Sequence, residues 1–447
     1  MSFWRQLIYS AGTTGYMLVE RMIVAYAIYF FLPPEDSGLP VLISQQKMII
    51  FGSVFGLITL LGRVVDAITD PWIATLSDNS RSKLGRRRLF MLLGAAPMPV
   101  FCVLMFYPPH DHASTLNAAY LAVIFGAFWV AYTAYVAPYQ ALIPELTRTV
   151  RERVGITTWQ ALFAMVGVIL GLVVVPAVWD GLQSSGMDKV SALRAIILAF
   201  GIVGLIIMLA AAIVVREPKP EERPVGESTG MWSSVKLAWA NREFRIYLGG
   251  YITFWFGFNM ITKSTLYYVT VLLKKTEGFQ SIVLGVLLLV SLICIPLINI
   301  ASRRFGRRNV FVWGLFTFAV LMCGIFFLGD VGATGAIILF ALMGLPVAIR
   351  EVVPNALLAE ICDLDTKRTG TRREAIFFGV QGFLNKLNIG VSGAVLAWLL
   401  VTFGKSQADP LGVQLTGPVA ALFCLAGALV FMRFPGGGPE TRSVAKD

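Results

Sequence analysis

Predominantly apolar stretches of about 20 residues recur along this sequence, for example at residues 192–215, 281–300 and 411–432. One such stretch, folded as a helix, spans the hydrocarbon core of a bilayer, whereas membrane β-strands alternate apolar and polar residues. Hydrophobic residues make up 57% of the 447 positions and charged residues only 14%, which excludes an ordinary soluble domain or soluble enzyme. We therefore predict an all-α membrane protein.

The hydropathy pattern predicts twelve transmembrane helices. The predicted spans lie near residues 10–32, 47–76, 88–107, 117–142, 155–178, 192–215, 244–273, 281–300, 308–328, 333–358, 375–402 and 411–432. Basic residues concentrate in alternate connections, which by the positive-inside rule predicts an inner-membrane protein with both termini in the cytoplasm. The net charge of +11 is thereby explained by topology rather than by binding to nucleic acid.

The chain divides into two halves of six predicted spans each. A stretch rich in Pro, Glu and Gly at residues 216–231 predicts a flexible linker. We assign residues 1–215 to the first half, 216–243 to a cytoplasmic linker and 244–447 to the second half.

Two motifs recur in corresponding places of the halves. Gly85 and three arginines follow the second span, and Gly306 and two arginines follow the eighth; Glu145 and Glu360 close the fourth and tenth spans. Matching signals at similar offsets indicate an internal repeat. This organisation resembles the major facilitator superfamily, whose two halves rock about a central site.

The resemblance implies a cytoplasmic gate at the basic loops, although charge for topology alone would explain the arginines. The predicted gate residues are Asp78, Gly85, Arg86, Arg87, Glu145, Gly306, Arg307 and Glu360.

The second span carries three charged residues, Arg63, Asp66 and Asp70, at positions i, i+3 and i+7. They fall within roughly 60° of arc on one helix face. Two carboxylates a turn apart, with the Thr69 hydroxyl beside them, offer oxygen ligands to a small hard cation. The alternative is that Arg63 neutralises one acid and the cluster only holds the bundle together. Lys386, alone in the eleventh span, is a second candidate partner from the other half.

The sequence RVVDAITDP at residues 63–71, followed by SDNSRSKLGRRR at residues 77–88, resembles the glycoside-pentoside-hexuronide:cation symporters. The resemblance implies a cation site formed by three side chains of the second span together with Thr133 of the fourth, and Lys386 as the charge-balancing lysine. The three residues of the second span are Asp66, Thr69 and Asp70.

The sugar-binding positions of that family are not kept. Its two sugar-binding acids align with Met17 and Val136, an aromatic residue with Gln140, and an arginine with Gln160. Losing these charges removes strong hydrogen bonds to sugar hydroxyls and points to a different substrate.

Other polar side chains could take the place of the sugar-binding residues that this sequence lacks. Glu20 and Arg21 either take over part of sugar recognition or form a local pair. A saccharide could also be held by other polar residues, namely Gln140, Gln160, Asn259 and Asn388.

Sodium-dependent lysophospholipid transporters resemble the same family, with a more apolar cavity. The seventh span has Asn259 and Lys263 one turn apart, and its aromatic residues include Phe254, Trp255, Phe256, Phe258 and Tyr267. Together they would suit an amphipathic substrate with a phosphate. Such an aromatic stripe also fits packing or lipid contact. Arg350 and Glu351, adjacent in the tenth span, receive no role.

Taken together, the residues predict a cation-coupled symporter that works by alternating access and is not an enzyme. Na⁺ is the expected coupling ion, with H⁺ as the alternative, and no cofactor or further metal is expected. The expected partners are membrane lipid and a small or amphipathic substrate, with the chain acting as a monomer. A non-transporting membrane sensor is the hypothesis from another class.

Overall fold

The computed structural model describes residues 3–48, 52–147, 149–215, 217, 231–371 and 373–435. Nearly all of the chain within these ranges is helical. Most of the linker predicted at residues 216–231 lies outside them, and the part of the predicted 216–243 segment that follows contains a ten-residue helix.

Within the described residues, the first half contains nine α-helices. They are α1 (Phe3–Phe31), α2 (Val54–Asn79), α3 (Arg86–Ala95), α4 (Pro97–Met105), α5 (Thr115–Ala141), α6 (Ile143–Leu146), α7 (Val150–Ile169), α8 (Val175–Ser184) and α9 (Lys189–Val214). A π-helical turn, Leu170–Val174, joins α7 to α8.

The helix α10 (Met231–Ala240) precedes the second half. The helices of that half are α11 (Arg242–Tyr267), α12 (Phe279–Phe305), α13 (Arg307–Gly324), α14 (Leu328–Thr369), α15 (Glu374–Phe403), α16 (Leu411–Gln414) and α17 (Thr416–Phe431). A π-helical turn, Tyr268–Leu272, follows α11. Gly332, with φ of 65°, breaks the regular helix near the start of α14, just before the predicted tenth span.

Within the described ranges, eight helical stretches are long and apolar enough to cross a membrane. They include one continuous stretch, Arg307–Thr369, that contains two of the predicted spans. The three predicted spans outside these stretches coincide with α1, α2 and α11, the long helices that carry several charged side chains. The protein is therefore an all-helical, multi-pass membrane protein, while the number of twelve crossings stays a prediction.

Helix packing repeats between the halves. In the first half α1 packs on α7 and α9, and α5 packs on α2 and α3. In the second half α11 packs on α15 and α17, and α14 packs on α12 and α13. These are the corresponding contacts that an internal repeat predicts. The halves meet where α2 packs along α15, α1 along α11, and α8 on α12.

The glycines of the two basic loops have the same unusual backbone conformation. Gly85 has φ of 109° and ψ of 144°, and Gly306 has φ of 84° and ψ of 143°. A positive φ is costly for residues with a side chain, so glycine allows the chain to turn directly into α3 and α13. The repeated Gly-Arg-Arg motif thus has a structural role in addition to its charge.

Candidate functional site

A line of alternating charges crosses the middle of the bundle from α1 through α2 to α15. Arg21 pairs with Glu20, Glu20 with Arg63, and Arg63 with Asp66, at N–O distances of 3.3, 3.5 and 3.2 Å. Lys386 then contacts both aspartates of α2. In order, the six residues are Arg21, Glu20, Arg63, Asp66, Lys386 and Asp70.

The oxygen atoms of the predicted cation site converge on the ammonium group of Lys386. Its Nζ lies 2.9 Å from Asp66 Oδ1 and 2.7 Å from Asp70 Oδ1. The hydroxyl of Thr133 lies 2.8 Å from the same Asp66 oxygen and 3.1 Å from that of Asp70. Thr69 is turned differently, since its hydroxyl donates to the backbone carbonyl of Asp66 at 3.1 Å. Three of the four side chains predicted to bind the cation therefore lie together, whereas the Thr69 hydroxyl bonds to the backbone.

The sequence offered Lys386 as a second partner for the acids of α2. In the structure Lys386 lies between the two aspartates, and three cations alternate with three carboxylates along the line. The cluster is charge-balanced as it stands. A coupling ion would consequently have to compete with the lysine.

Exposure of the charged side chains changes along α2. The side chains of Arg63 and Asp66 are 3% and 0% exposed, whereas that of Asp70 is 34% exposed. Asp70 lies nearer to the end of α2 that leads into the Gly85 loop. Of the two carboxylates, only the one nearer to that end is accessible.

Two aromatic residues on α5 complete the charge cluster and were not predicted. The guanidinium of Arg63 lies 3.4 Å from the ring centre of Trp129, a cation–π contact. Nζ of Lys386 lies 5.8 Å from the ring centre of Tyr132. Trp129 is one turn before Thr133, so helical spacing from the predicted threonine would have found it.

Close approach of α15 to α2 allows Lys386 to reach the aspartates. A Cβ atom at Gly390, one turn beyond the lysine, would lie only 3.0 Å from Cβ of Arg63. Any larger residue at this position would push the two helices apart. The absence of a side chain at Gly390 therefore helps to hold the cluster together.

The predicted substrate residues fall into separate groups. Gln140 donates to the hydroxyl of Tyr16 at 3.1 Å, and Gln160 is buried within the same half. Asn259 and Lys263 lie on α11 in the other half and are also buried. Nζ of Lys263 donates to the carbonyl of Ile389 at 2.6 Å and also contacts the Ser392 hydroxyl.

A small cavity lies between the halves on the side of Arg63 away from Asp70. Arg63 and Lys263 supply its charged groups, and Thr59 adds a hydroxyl. The rest of its lining is mostly apolar, formed by Ile23, Val24, Ala27, Ile28, Phe55, Phe125, Trp129, Ile389, Gly390 and Gly393.

Arg350 and Glu351, to which the sequence assigned no role, form an ion pair on α14. The Arg350 guanidinium lies 3.9 Å from the ring centre of Trp255 and 3.7 Å from that of Phe258. Adjacent positions on a helix point about 100° apart, so the sequence alone did not suggest this pairing.

The predicted gate residues lie at the end of the bundle with the Gly85 and Gly306 loops, which we call the basic end. Arg86 pairs with Glu145, as does Arg87 at 3.1 Å, and Arg87 also contacts Asp78 at 2.9 Å. In the second half Arg307 and Glu360 are 3.7 Å apart. Each of these pairs joins residues of a single half.

The second half has a further ion pair at the basic end. Arg368 lies 2.9 Å from Glu243, and its hydrogen bond holds the pKa of that carboxyl below its ordinary value. This pair likewise stays within one half.

The opposite end, which we call the far end, is closed by contacts between the halves. Lys189 of α9 pairs with Glu277 in the connection from α11 to α12. The Tyr267 hydroxyl donates to the Leu32 carbonyl at 2.8 Å. The backbone N–H of Gln407 donates to Asp36 at 2.7 Å. The two halves are therefore joined at the far end.

Comparisons with known proteins agree with this architecture. A family model described as MFS/sugar transport protein matches residues 9–435. The putative glycoside/cation symporter YagG of Escherichia coli (strain K12) is 25% identical over 394 residues, which cover 85% of this chain and 81% of the relative. The isoprimeverose transporter of Lactiplantibacillus pentosus is 24% identical, with 81% and 77% covered.

Solved structures show the same fold at low sequence identity. The nucleoside transporter NupG has a TM-score of 0.65 at 13% identity, with 97% of this chain and 99% of that chain covered. A D-xylose-proton symporter has a TM-score of 0.62 at 15% identity, with 95% and 97% covered. The chain belongs to the MFS/sugar transport proteins, within their glycoside-pentoside-hexuronide symporter family.

Proposed function

We propose that this protein is a Na⁺-coupled symporter that carries a small organic solute of the glycoside class. One observation carries the proposal: Lys386 of the second half lies between Asp66 and Asp70 of the first half. An ion pair between the two moving halves can link ion binding to their relative position, because it must change when they separate.

In this mechanism the ion and the Lys386 ammonium compete for the same oxygens. A cation bound by Asp66, Asp70 and Thr133 would release the lysine, and loss of the ion would allow its return. Binding then shifts the balance between two conformations only by its different affinity for each. The buried pair is costly to break without replacement, so lysine release is linked to ion entry.

Sodium is favoured over a proton by the number of oxygens at the site. Both carboxylates lie within hydrogen-bonding distance of Lys386 Nζ, and the Thr133 hydroxyl lies within hydrogen-bonding distance of both carboxylates. Hard cations prefer several oxygen ligands, whereas a proton needs only one. Relatives named as a glycoside/cation symporter and an isoprimeverose transporter support a glycoside as the solute.

Uptake into proteoliposomes tests the proposal directly. A phenyl glycoside should accumulate when an inward Na⁺ gradient is imposed at equal pH on both sides, and a proton gradient without Na⁺ should not replace it. Asp66→Asn and Asp70→Asn should each lower Na⁺-driven uptake by about tenfold or more, because each removes a charged ligand.

The matched control is Asp363→Asn, which makes the same chemical change at an exposed position of α14. It should transport normally. Undiminished Na⁺-driven uptake in both the Asp66 and Asp70 variants would overturn the coupling site. Uptake driven only by a proton gradient would identify H⁺, rather than Na⁺, as the coupling ion.

An amphipathic solute such as a lysophospholipid is the second candidate. The mostly apolar lining of the cavity between Arg63 and Lys263 favours it, since apolar walls suit an alkyl or aryl group. Competition distinguishes the two: a lysophospholipid should inhibit glycoside uptake if both share the cavity. Transport of radiolabelled lysophospholipid with no uptake of any glycoside would select this candidate.

A further inference from the structure

Several buried hydrogen-bond donors lie close together on α11 and α14 without a protein acceptor. Among the residues that the structure describes, no hydrogen-bond partner is found for Nε or Nη1 of Arg350, Nε1 of Trp255 or Nδ2 of Asn259. Arg350 and Asn259 are only 3% and 1% exposed. A buried donor without an acceptor costs about 1–3 kcal/mol, and more when it is charged.

Two aromatic rings and one carboxylate contact the guanidinium of Arg350 and leave some of its N–H groups without an acceptor. Trp255 and Phe258 both lie within 4 Å of its central carbon, measured to their ring centres at 3.9 and 3.7 Å. Glu351 takes up one terminal nitrogen, Nη2. The N–H groups on Nε and Nη1 are left without a protein acceptor, and charged N–H donors form strong hydrogen bonds with a carboxylate or phosphate.

The same face of α11 continues to a cation that lacks a carboxylate partner. Trp255, Asn259 and Lys263 are spaced at i, i+4 and i+8, which places them in one stripe. Both hydrogen-bond acceptors of Lys263 are uncharged, the Ile389 carbonyl and the Ser392 hydroxyl. No carboxylate in the described part of the chain forms an ion pair with it.

The balance of charges in the middle of the bundle also favours a bound anion. The six residues of the alternating line cancel, and Arg350 is paired with Glu351. With Lys263 protonated, the described residues there carry an excess of one positive charge. A buried charge without a partner is unfavourable, so a bound anion would be stabilised.

We infer that Arg350, Trp255 and Asn259 form a binding subsite for the anionic group of the transported solute, with Lys263 supplying the balancing charge. This inference rests on the proposed function and narrows it to an organic anion. The solute would carry a compact oxyanion, either a carboxylate or a phosphate, attached to a ring. A neutral sugar fits less well, because its hydroxyl groups bring donors to a cluster of donors.

Three phenyl glycosides with the same ring and aglycone test the inference. They are phenyl β-glucoside, phenyl β-glucuronide and phenyl β-glucoside 6-phosphate, which differ only in the group at C6. With the purified full-length protein in Na⁺, at least one of the two anions should bind about 10- to 100-fold more tightly than the neutral glucoside, because charged hydrogen bonds are stronger. Tighter binding of the glucuronide would identify the anionic group of the solute as a carboxylate, and tighter binding of the 6-phosphate would identify it as a phosphate.

Asn259→Asp places a carboxylate one turn from Lys263 and inside the donor cluster. It should raise the melting temperature without ligand and abolish the preference for the anion, because the protein then supplies its own negative charge. Asn299→Asp makes the same change at an exposed position of α12 and should leave the preference intact. Lys263→Gln gives a second variant, which should reduce the preference without raising the melting temperature.

The outcomes separate this inference from the proposed function. Equal binding of charged and neutral glycosides, binding of none of the three, or an unchanged anion preference in both Asn259→Asp and Lys263→Gln would overturn the anion subsite. Na⁺-coupled uptake of the neutral glucoside would then leave the symporter proposal standing. Anion binding without any cation-dependent uptake would contradict the symporter proposal and support the subsite.

Discussion

The two ends of the bundle use ion pairs in different ways. At the basic end, Arg86 and Glu145 belong to the first half, and Arg307 and Glu360 to the second. At the far end, the pair formed by Lys189 and Glu277 joins the halves to each other. Contacts within a half can persist while the halves rock, whereas contacts between them must break.

This difference assigns a state to the structure. The far end is closed, and Asp70, the more exposed of the two aspartates, lies nearer to the basic end than Asp66. If the basic loops are cytoplasmic, as their charge predicts, the solute path opens toward the cytoplasm. The basic-end pairs then stiffen each half, and the far-end pairs act as the contacts that open in the alternate state.

The largest expected effect comes from locking the far end. Asp36→Cys combined with Gln407→Cys places two thiols where the halves touch, since the Gln407 N–H and the Asp36 carboxylate are 2.7 Å apart. A short bifunctional thiol reagent should abolish uptake almost completely, because the halves can no longer separate there. Addition of a reductant that cleaves the linker should restore it. Uptake is measured in proteoliposomes.

A second pair of cysteines tests the contrast between the ends. Glu243→Cys with Arg368→Cys links two residues of the second half, so cross-linking should leave most of the uptake intact. Reagent-treated wild type controls for the five native cysteines. Equal inhibition of both cross-linked pairs would show that the ends do not differ as the structure indicates.

An intermediate effect is expected from charge reversal at the far end. Lys189→Glu places a second carboxylate next to Glu277, whose side chain is only 6% exposed, so the far end should open more often. A thiol introduced by Ala27→Cys, in the cavity lining, should then react about tenfold faster with an impermeant reagent applied from that side.

Adding Glu277→Lys to Lys189→Glu restores an ion pair of opposite orientation and should return labelling close to the original rate. If labelling stays fast in the double variant, or never rises in the single one, the pair does not control closure.

The smallest effect concerns pH at the far end. Burial lowers the pKa of Lys405 to about 8, and nearby Glu35 partly opposes this. The charged form is therefore disfavoured in the folded protein, so this lysine destabilises the fold below pH 8. That cost decreases as pH rises from about 8 to 10.5. Lys405→Gln should raise the melting temperature by about 1–3 °C at pH 7 and progressively less toward pH 10.

The expected trend requires melting curves of both proteins at each pH, because other lysines and tyrosines titrate in the same range. A difference between variant and wild type that is constant with pH would contradict a lowered pKa for Lys405.

The sequence predicted some residues of the candidate cation site better than others. It identified Asp66 and Asp70 because helical spacing alone places them on one face. Lys386 was identified as a lone charge in the eleventh span and Thr133 through the family resemblance, and the structure brings both to those carboxylates. Thr69 was predicted on the same face, but its hydroxyl bonds the backbone, a local choice that spacing does not reveal.

The sequence by itself determined the helical membrane fold, because a bilayer offers no hydrogen bonds to the backbone and long apolar stretches must then form helices. It also determined the charged face of α2 and the repeated basic loops. The tertiary structure decided which distant charges meet: Lys386 with two aspartates, and Lys189 with Glu277. Periodicity describes neighbours within one helix, whereas such pairings depend on how helices pack, so they were settled only by the folded bundle.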